Sequence, residues 1–153
     1  PRAIKNVLQI KELSSNFKGV ILDAGCGTGE SSYYLCNKHP EYLVVGLDKS
    51  LVRLSKVSNT SPNLVYIREN QFYFWQASIK YKLNFYKQYI LYPNPWPKSK
   101  HFNRRVHGHP LFKDIIDLSL CTTLRTNWLI YAEEFLKASK LLKKTLQLIR
   151  SIQ

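Results

Sequence analysis

The sequence predicts an α/β fold: a doubly wound, mostly parallel sheet with helices on both faces. Three observations predict it. Short apolar runs of strand length alternate with amphipathic segments of helical period along most of the 153 residues. The first run, "GVILDAG", passes into a turn carrying Gly25, Gly27 and Gly29. The second, "YLVVGLD", ends on an acid, Asp48, roughly 20 residues on, the spacing at which such folds meet a ribose.

The elements follow in order. Ile4, Val7, Leu8, Ile10 and Leu13 share one helical face, so residues 4 to 15 are expected to form a leading helix. "GVILDAG" is apolar without alternation, which suits a strand buried on both faces. "GESSYYLCNKHP" is a helix stopped before Pro40. "YLVVGLD", "NLVYIRE", "KQYILYP" and "CTTLRT" are further strands, and "KSLVRLSKVSN" and "QFYFWQASIKYKL" are helices between them. Residues 110 to 119 form a helix begun near Pro110, with Phe112, Ile115, Ile116 and Leu118 on its apolar side. "NWLIYAEEFLKASKLLKK" is a long amphipathic helix, and "TLQLIRS" is either a last strand or more helix. No repeat, linker or low-complexity tract interrupts the pattern, so residues 1–153 are expected to be a single domain.

Composition narrows the function. Lys and Arg number 23 against 10 Asp and Glu, a net charge of +13, which favours a polyanionic partner, nucleic acid first. No apolar run approaches the roughly 18 residues of a membrane span. The charged start, "PRAIKNVLQIKELSS", is unlike a secretory signal. Cys26, Cys36 and Cys121 are odd in number and lack CxxC spacing, so free thiols in a cytoplasmic setting are expected. His101, His107 and His109 lie close together, but without neighbouring Cys they read as phosphate contacts or loop packing, and no metal is expected. Cys26 fits the glycine loop as a small residue, not a nucleophile. The chain begins with Pro and contains no Met, so its ends are expected to be trimmed.

The pattern Asp23-x-Gly25-x-Gly27-x-Gly29 resembles the first motif of class I S-adenosyl-L-methionine (SAM) methyltransferases. SAM has no pyrophosphate; it carries a sulfonium, an amino group and a carboxylate, so an acid such as Asp23 beside the turn suits its cation. The resemblance implies a Rossmann-like class I methyltransferase fold, with the antiparallel hairpin that ends the class truncated here.

A second block is more specific. The fourth strand ends on "YPNPWP", and "KSKHFNRR" follows at once. In a doubly wound sheet the ligand binds beyond the C-terminal strand ends, so Asn94 is expected to face the reacting centre. Pro93, Pro95 and Pro97 stiffen that turn. Trp96 offers a flat surface for a base or a plug for the sheet end. "YPNPWPKSKHFNRR" resembles the signature of the bacterial tRNA (guanine-N7)-methyltransferase family, roughly Phe-Pro-Asp-Pro-Trp-Pro-Lys-Lys-Arg-His-x-Lys-Arg-Arg. Thr126, Asn127, Trp128, Tyr131, Ala132 and Glu133 match its later Thr-Asp-Trp-x-x-Tyr-Ala-Glu pattern. The likeness spans residues 18 to about 135.

The resemblance implies cofactor contacts at Asp23, Gly25, Cys26, Gly27, Gly29, Asp48, Lys49, Glu69, Asn70 and Asn94, with Asn94 also at the catalytic centre. It implies RNA contacts at Lys98, His101, Arg104, Arg105, Thr126 and Asn127, with tRNA or another RNA as partner and no membrane or metal; it leaves monomer or homodimer open. Arg125 either orients substrate or forms a surface ion pair. Two departures stand out: Asn94 and Asn127 replace family acids, and the family's C-terminal Thr-x-Phe-Glu element has no counterpart before Gln153. Guanine N7 has an in-plane lone pair and no proton to lose, so its methylation needs positioning and no general base. A carboxylate accepts from guanine's N1–H and N2–H2 with charge assistance; an Asn oxygen accepts more weakly. Asn-Pro-Trp also resembles the Asn-Pro-Pro-aromatic motif of amino-group methyltransferases. Three readings stay open: a tRNA guanine-N7 enzyme, a related SAM enzyme with an amino-group or small-molecule acceptor, and a SAM- or RNA-binding protein weakened in catalysis.

Overall fold

The computed structural model describes residues 1–142 and the backbone of 146–150. Six strands form one sheet: β1 (Val20–Ala24), β2 (Leu43–Asp48), β3 (Leu64–Arg68), β4 (Phe85–Leu91), β5 (Ser119–Thr126) and β6 (Leu146–Arg150). Their order is β3-β2-β1-β4-β5-β6, and every pairing is parallel. Within "TLQLIRS", residues 146–150 are strand. The expected truncation of the class's closing hairpin falls outside the described residues.

Parallel neighbours need crossovers, and the helices supply them. They are α1 (Arg2–Ser14), α2 (Glu30–Lys38), α3 (Leu51–Leu54), α4 (Gln71–Tyr81), α5 (Phe112–Asp117) and α6 (Leu129–Leu141). The period-2 pleat sorts side chains between two cores. Val20, Leu22 and Ala24 of β1 pack with α1, α4, α5 and α6 residues such as Ile10, Trp75, Ile115 and Phe135. Ile21 points the other way, to Val44, Leu64 and the α2 residues Leu35 and Cys36. This two-faced burial explains why β1 and β2 are buried at every position.

Two expected elements differ. "KSLVRLSKVSN" forms a single turn, α3, with no buried residue to anchor a longer helix. Residues after Pro97, read from sequence as a basic run, form two 3-10 segments, Ser99–Arg104 and Val106–Gly108.

Candidate active site

With all strands parallel, the C-terminal tips of β3, β2, β1, β4 and β5 lie side by side along one edge. The β1 tip turns sharply. Gly25, Gly27 and Gly29 all have positive φ, at 81, 60 and 88°, where an L side chain costs roughly 1–2 kcal/mol. Gly25 N–H and Cys26 N–H both donate to the Leu47 carbonyl, at 2.7 and 2.9 Å, lashing the loop to β2. A Cβ on Gly27 would meet nothing within 4 Å, so the loop faces open space there. At Gly29 a Cβ would lie 2.6 Å from Tyr66 Oη, so this glycine serves packing.

Asp23 is fully buried beneath the loop. Its Oδ2 accepts from the Ser31 and Ser32 hydroxyls of α2, while Oδ1 is buried with no hydrogen-bond partner. Burial pushes this carboxyl's pKa up, against the two serines. Asp48, at the β2 tip, accepts from Gly27 N–H at 2.9 Å and Ser50 N–H at 2.8 Å. Cys26 lies between these acids; burial, then Asp23 and Asp48, push its thiol up to about 12, which rules out a thiolate nucleophile. A cradle with room at Gly27, and an unpaired anionic oxygen beneath it, suits a ligand that carries a cation.

Other expected contacts are placed differently. Lys49 is exposed beyond β2, and its carbonyl accepts from Arg68 Nε at 3.4 Å. Glu69 is buried and closed by Arg2, whose Nε and Nη2 reach its two oxygens at 2.9 and 3.1 Å. The hydrogen bond from Arg2 is the main reason its pKa lies below the ordinary carboxylate value. Asn70 is a helix cap: its Oδ1 accepts from Phe72 N–H and Tyr73 N–H and starts α4. Sequence spacing places both residues at the β3 tip, but not which partners close them.

The β4 tip carries Asn94, exposed, with its Oδ1 accepting from Trp96 N–H at 3.2 Å. Its oxygen therefore holds the turn, where the sequence had suggested it would face the acceptor. Trp96 has φ +45°, a strained value for an indole-bearing residue. Both its backbone groups are pinned, the N–H by Asn94 and the carbonyl by Arg105 Nε at 3.1 Å. Its ring has the Arg104 guanidinium 4.8 Å over one face and His101 edge-on at 5.5 Å. Tyr92 N–H donates to the Arg125 carbonyl at 2.7 Å, tying this tip to β5. At the β5 tip, buried Thr126 accepts from Trp128 N–H at 3.1 Å and caps the turn, and Asn127 beside it is exposed.

Arg105 corrects a sequence expectation. It does not present charge to solvent: only 5% is exposed. Its Nη1 pairs with Glu134 of α6 at 2.7 Å, Nη2 reaches the Pro97 carbonyl at 3.3 Å, and the guanidinium lies 5.0 Å over Trp128. His107 Nε2 meets the same Glu134 oxygen at 2.7 Å. Arg105, Glu134 and His107 thus fasten the Pro-Trp-Pro turn to α6. Glu134 is legible in hindsight, because it shares the helical face of Tyr131 and Phe135, which are fully buried. His109 is loop packing, stacked on Phe72 at 4.3 Å. Lys98, Lys100 and Arg104 remain exposed and carry the basic rim.

Among the described residues no group of three or more His, Cys, Asp or Glu could hold a metal, and no helix is long and apolar enough to cross a membrane. An open groove of about 480 Å³ lies at the opposite end of the sheet, lined by Lys18, Tyr42, Tyr86 and Leu118. It lacks the glycine turn and the paired acids found at the strand tips.

Comparison with known proteins gives a consistent picture. The sequence profile of the family described as "Putative methyltransferase" matches residues 18–149. A tRNA (guanine-N(7)-)-methyltransferase of Neorickettsia sennetsu is 26% identical over 117 residues, 72% of this chain and 52% of that protein. One from Clostridium acetobutylicum is 31% identical over 100 residues, 63% of this chain and 47% of that one. A 16S rRNA (adenine(1408)-N(1))-methyltransferase of Streptoalloteichus hindustanus is 34% identical over 77 residues, 41% of this chain and 36% of that one. The chain thus spans about half the length, or less, of these relatives. In fold it is similar to the antibiotic-resistance methyltransferase Kmr (TM-score 0.57, 14% identity, 89% of this chain and 83% of that one). It is also similar to the 16S rRNA methyltransferase KamB (TM-score 0.51, 22% identity, 71% and 51%).

Proposed function

Because the chain belongs to that methyltransferase family, we propose that it transfers a methyl group from SAM to guanine N7 in tRNA. The observation that carries the proposal is the junction of two features at adjacent strand tips. The open glycine cradle above the unpaired Asp23 Oδ1 ends β1, and the rigid Asn94–Trp96 turn with its basic rim ends β4. The guanine-N7 relatives supply the acceptor.

SAM, when bound, supplies an electrophilic methyl on a sulfonium. The protein's own residues bind and orient. Among the described residues, Asp23 Oδ1 is the one buried carboxyl oxygen without a hydrogen-bond partner, and it is offered to a cationic group. Gly25 to Gly29 admit the ligand close to the backbone, and Asp48, though it already holds two N–H groups, keeps lone pairs for ribose hydroxyls. Guanine N7 attacks with its own lone pair, so no side chain moves a proton. The work left to the protein is alignment, which can be worth several kcal/mol. Asn94 and Asn127 lie on neighbouring tips and flank the acceptor's approach, with Lys98, Lys100, His101 and Arg104 beside the RNA backbone. A cytoplasmic location follows from that substrate.

The test is transfer of labelled methyl from SAM to unmethylated tRNA, followed by nucleoside analysis. The expected product is 7-methylguanosine. Label in another nucleoside, or only in a small molecule, would overturn the assignment of the acceptor.

A further inference from the structure

Resting on that reading of the cofactor, we infer that Arg125 holds the carboxylate of SAM's amino-acid end while Asp23 holds its ammonium. Four buried side-chain atoms among the described residues have no hydrogen-bond partner: Asp23 Oδ1, His39 Nε2, His107 Nδ1 and Arg125 Nε. Two of them belong to charged groups, one an anion and one a cation. Neither Asp23 nor Arg125 forms an ion pair, with the other or with any described residue. A surface ion pair therefore does not account for Arg125. A buried charged donor without an acceptor is costly, and a ligand that supplies the acceptor removes the cost.

Both charges stand next to last in their strands, Asp23 in β1 and Arg125 in β5. They also share a face of the sheet. Asp23 is in register with Tyr89 of β4, and Tyr89 with Thr123 of β5. Side chains two residues apart on a strand point the same way, so Arg125 follows Thr123 onto the face of Asp23. The Ser31 and Ser32 hydroxyls on Asp23 mark this as the α2 face. Between the two charges lie Tyr89 and Leu91 of β4, both half-buried. A strand spacing of about 4.8 Å and a rise of about 3.3 Å per residue put the two backbone positions roughly 12 Å apart. The side chains shorten that gap without closing it. An α-amino acid carries an ammonium and a carboxylate on one carbon. It can bridge such a gap with a charge-assisted hydrogen bond at each end. An RNA phosphate would satisfy Arg125 alone and leave Asp23 Oδ1 unpaired. Asp48, which keeps lone pairs for ribose, lies on β2, to the other side of β1. The cofactor is then laid along the sheet edge, adenosine toward β2 and methionine toward β5. Its sulfonium falls between them, by the β1 and β4 tips.

Calorimetry with two ligands tests the inference. S-adenosylhomocysteine carries the whole amino-acid end, and its decarboxylated analogue keeps the ammonium alone. Arg125→Gln should bind S-adenosylhomocysteine at least tenfold more weakly than wild type does. It should bind the decarboxylated analogue within threefold of wild type. Arg125→Lys should recover part of the loss, because it restores a cation without the planar fork. The melting temperature of ligand-free Arg125→Gln should match wild type or exceed it. Equal losses for the two ligands would make Arg125 a structural residue and overturn the inference. So would an unchanged affinity for S-adenosylhomocysteine, whether or not RNA binding weakens. Either result leaves cofactor binding by the wild type standing. No binding of S-adenosylhomocysteine by wild type would overturn the cofactor reading as well.

Discussion

The proposed recognition of the cofactor turns on Asp23. Its carboxylate is buried, two serine hydroxyls hold one oxygen, and the other oxygen has no partner. Burial raises its pKa, so in the ligand-free protein the charge weighs against folding. The sign follows: its contribution to stability is fully present below the unfolded value near pH 3.9 and is lost as pH rises through the raised folded value. Asp23→Asn should therefore leave the melting temperature of the ligand-free protein at neutral pH unchanged or higher. SAM affinity should fall about ten- to a hundredfold, the effect of losing a hydrogen bond to a charged group. An unchanged affinity in calorimetry would remove Asp23 from the site. Residue types at the site were legible in the sequence, because Asp23, Gly25, Gly27, Gly29, Asp48 and Asn94 stand at strand ends fixed by pattern alone. Which atoms stay open was not legible. Asn70 caps α4, Glu69 is closed by Arg2, and the Asn94 oxygen accepts from Trp96 N–H. Those outcomes depend on chain segments that meet only in three dimensions.

The connection between the Pro-Trp-Pro turn and α6 governs the next level. Arg105 and His107 converge on one Glu134 oxygen, and Arg105 also holds the Trp96 and Pro97 carbonyls. Glu134→Gln leaves the buried Arg105 without its counter-charge. Because Glu134 is one-third exposed, the cost should be about 2 kcal/mol, below the range for a fully buried pair. That corresponds to a melting temperature lower by roughly 4–8 °C for a chain of this size. The KM for RNA should rise as the strained Trp96 loosens, and a variant that melts like wild type would contradict this role. The same cluster makes the element acid-sensitive. Burial holds the His107 pKa down, outweighing the pull of Glu134. The unfolded chain takes the proton first, near pH 6.5, so this stability is full above about pH 6.5 and declines as pH falls below it. Burial pushes Glu134 up, but His107 and Arg105 bring it net below its ordinary value. Its contribution is full above about pH 4.3 and is lost only as pH falls through the depressed value. His107→Gln keeps a donor and cannot titrate, so its melting temperature should fall less than that of wild type between pH 7 and 5; parallel curves would refute the assignment. Strands and long helices were legible because burial on two faces and helical period mark them. α3 fell short because Leu51 and Val52 stay exposed and anchor no longer helix. The 3-10 segments were not legible, because Arg105 reads as an RNA contact and His107 as a phosphate contact or loop packing until Glu134 is placed beside them.

Over the whole molecule, the net charge of +13 and the parallel sheet act together. The sheet puts β3, β2, β1, β4 and β5 tips on one edge, and the exposed Lys98, Lys100 and Arg104 stand at that edge. RNA binding should weaken as salt rises. Replacing these three residues by Ala should reduce the slope of log K against log salt by about 2 to 3, roughly one per phosphate contact. An unchanged slope would place the RNA elsewhere on the surface. The central claim lies one level deeper: the β1, β2 and β4 tips make a single pocket for SAM. Titration calorimetry of the wild-type chain with S-adenosylhomocysteine tests it most directly. The account predicts saturable one-to-one binding, abolished when Asp48 is changed to Asn together with Asp23. No heat with the wild-type chain, or full binding by the double variant, would contradict it.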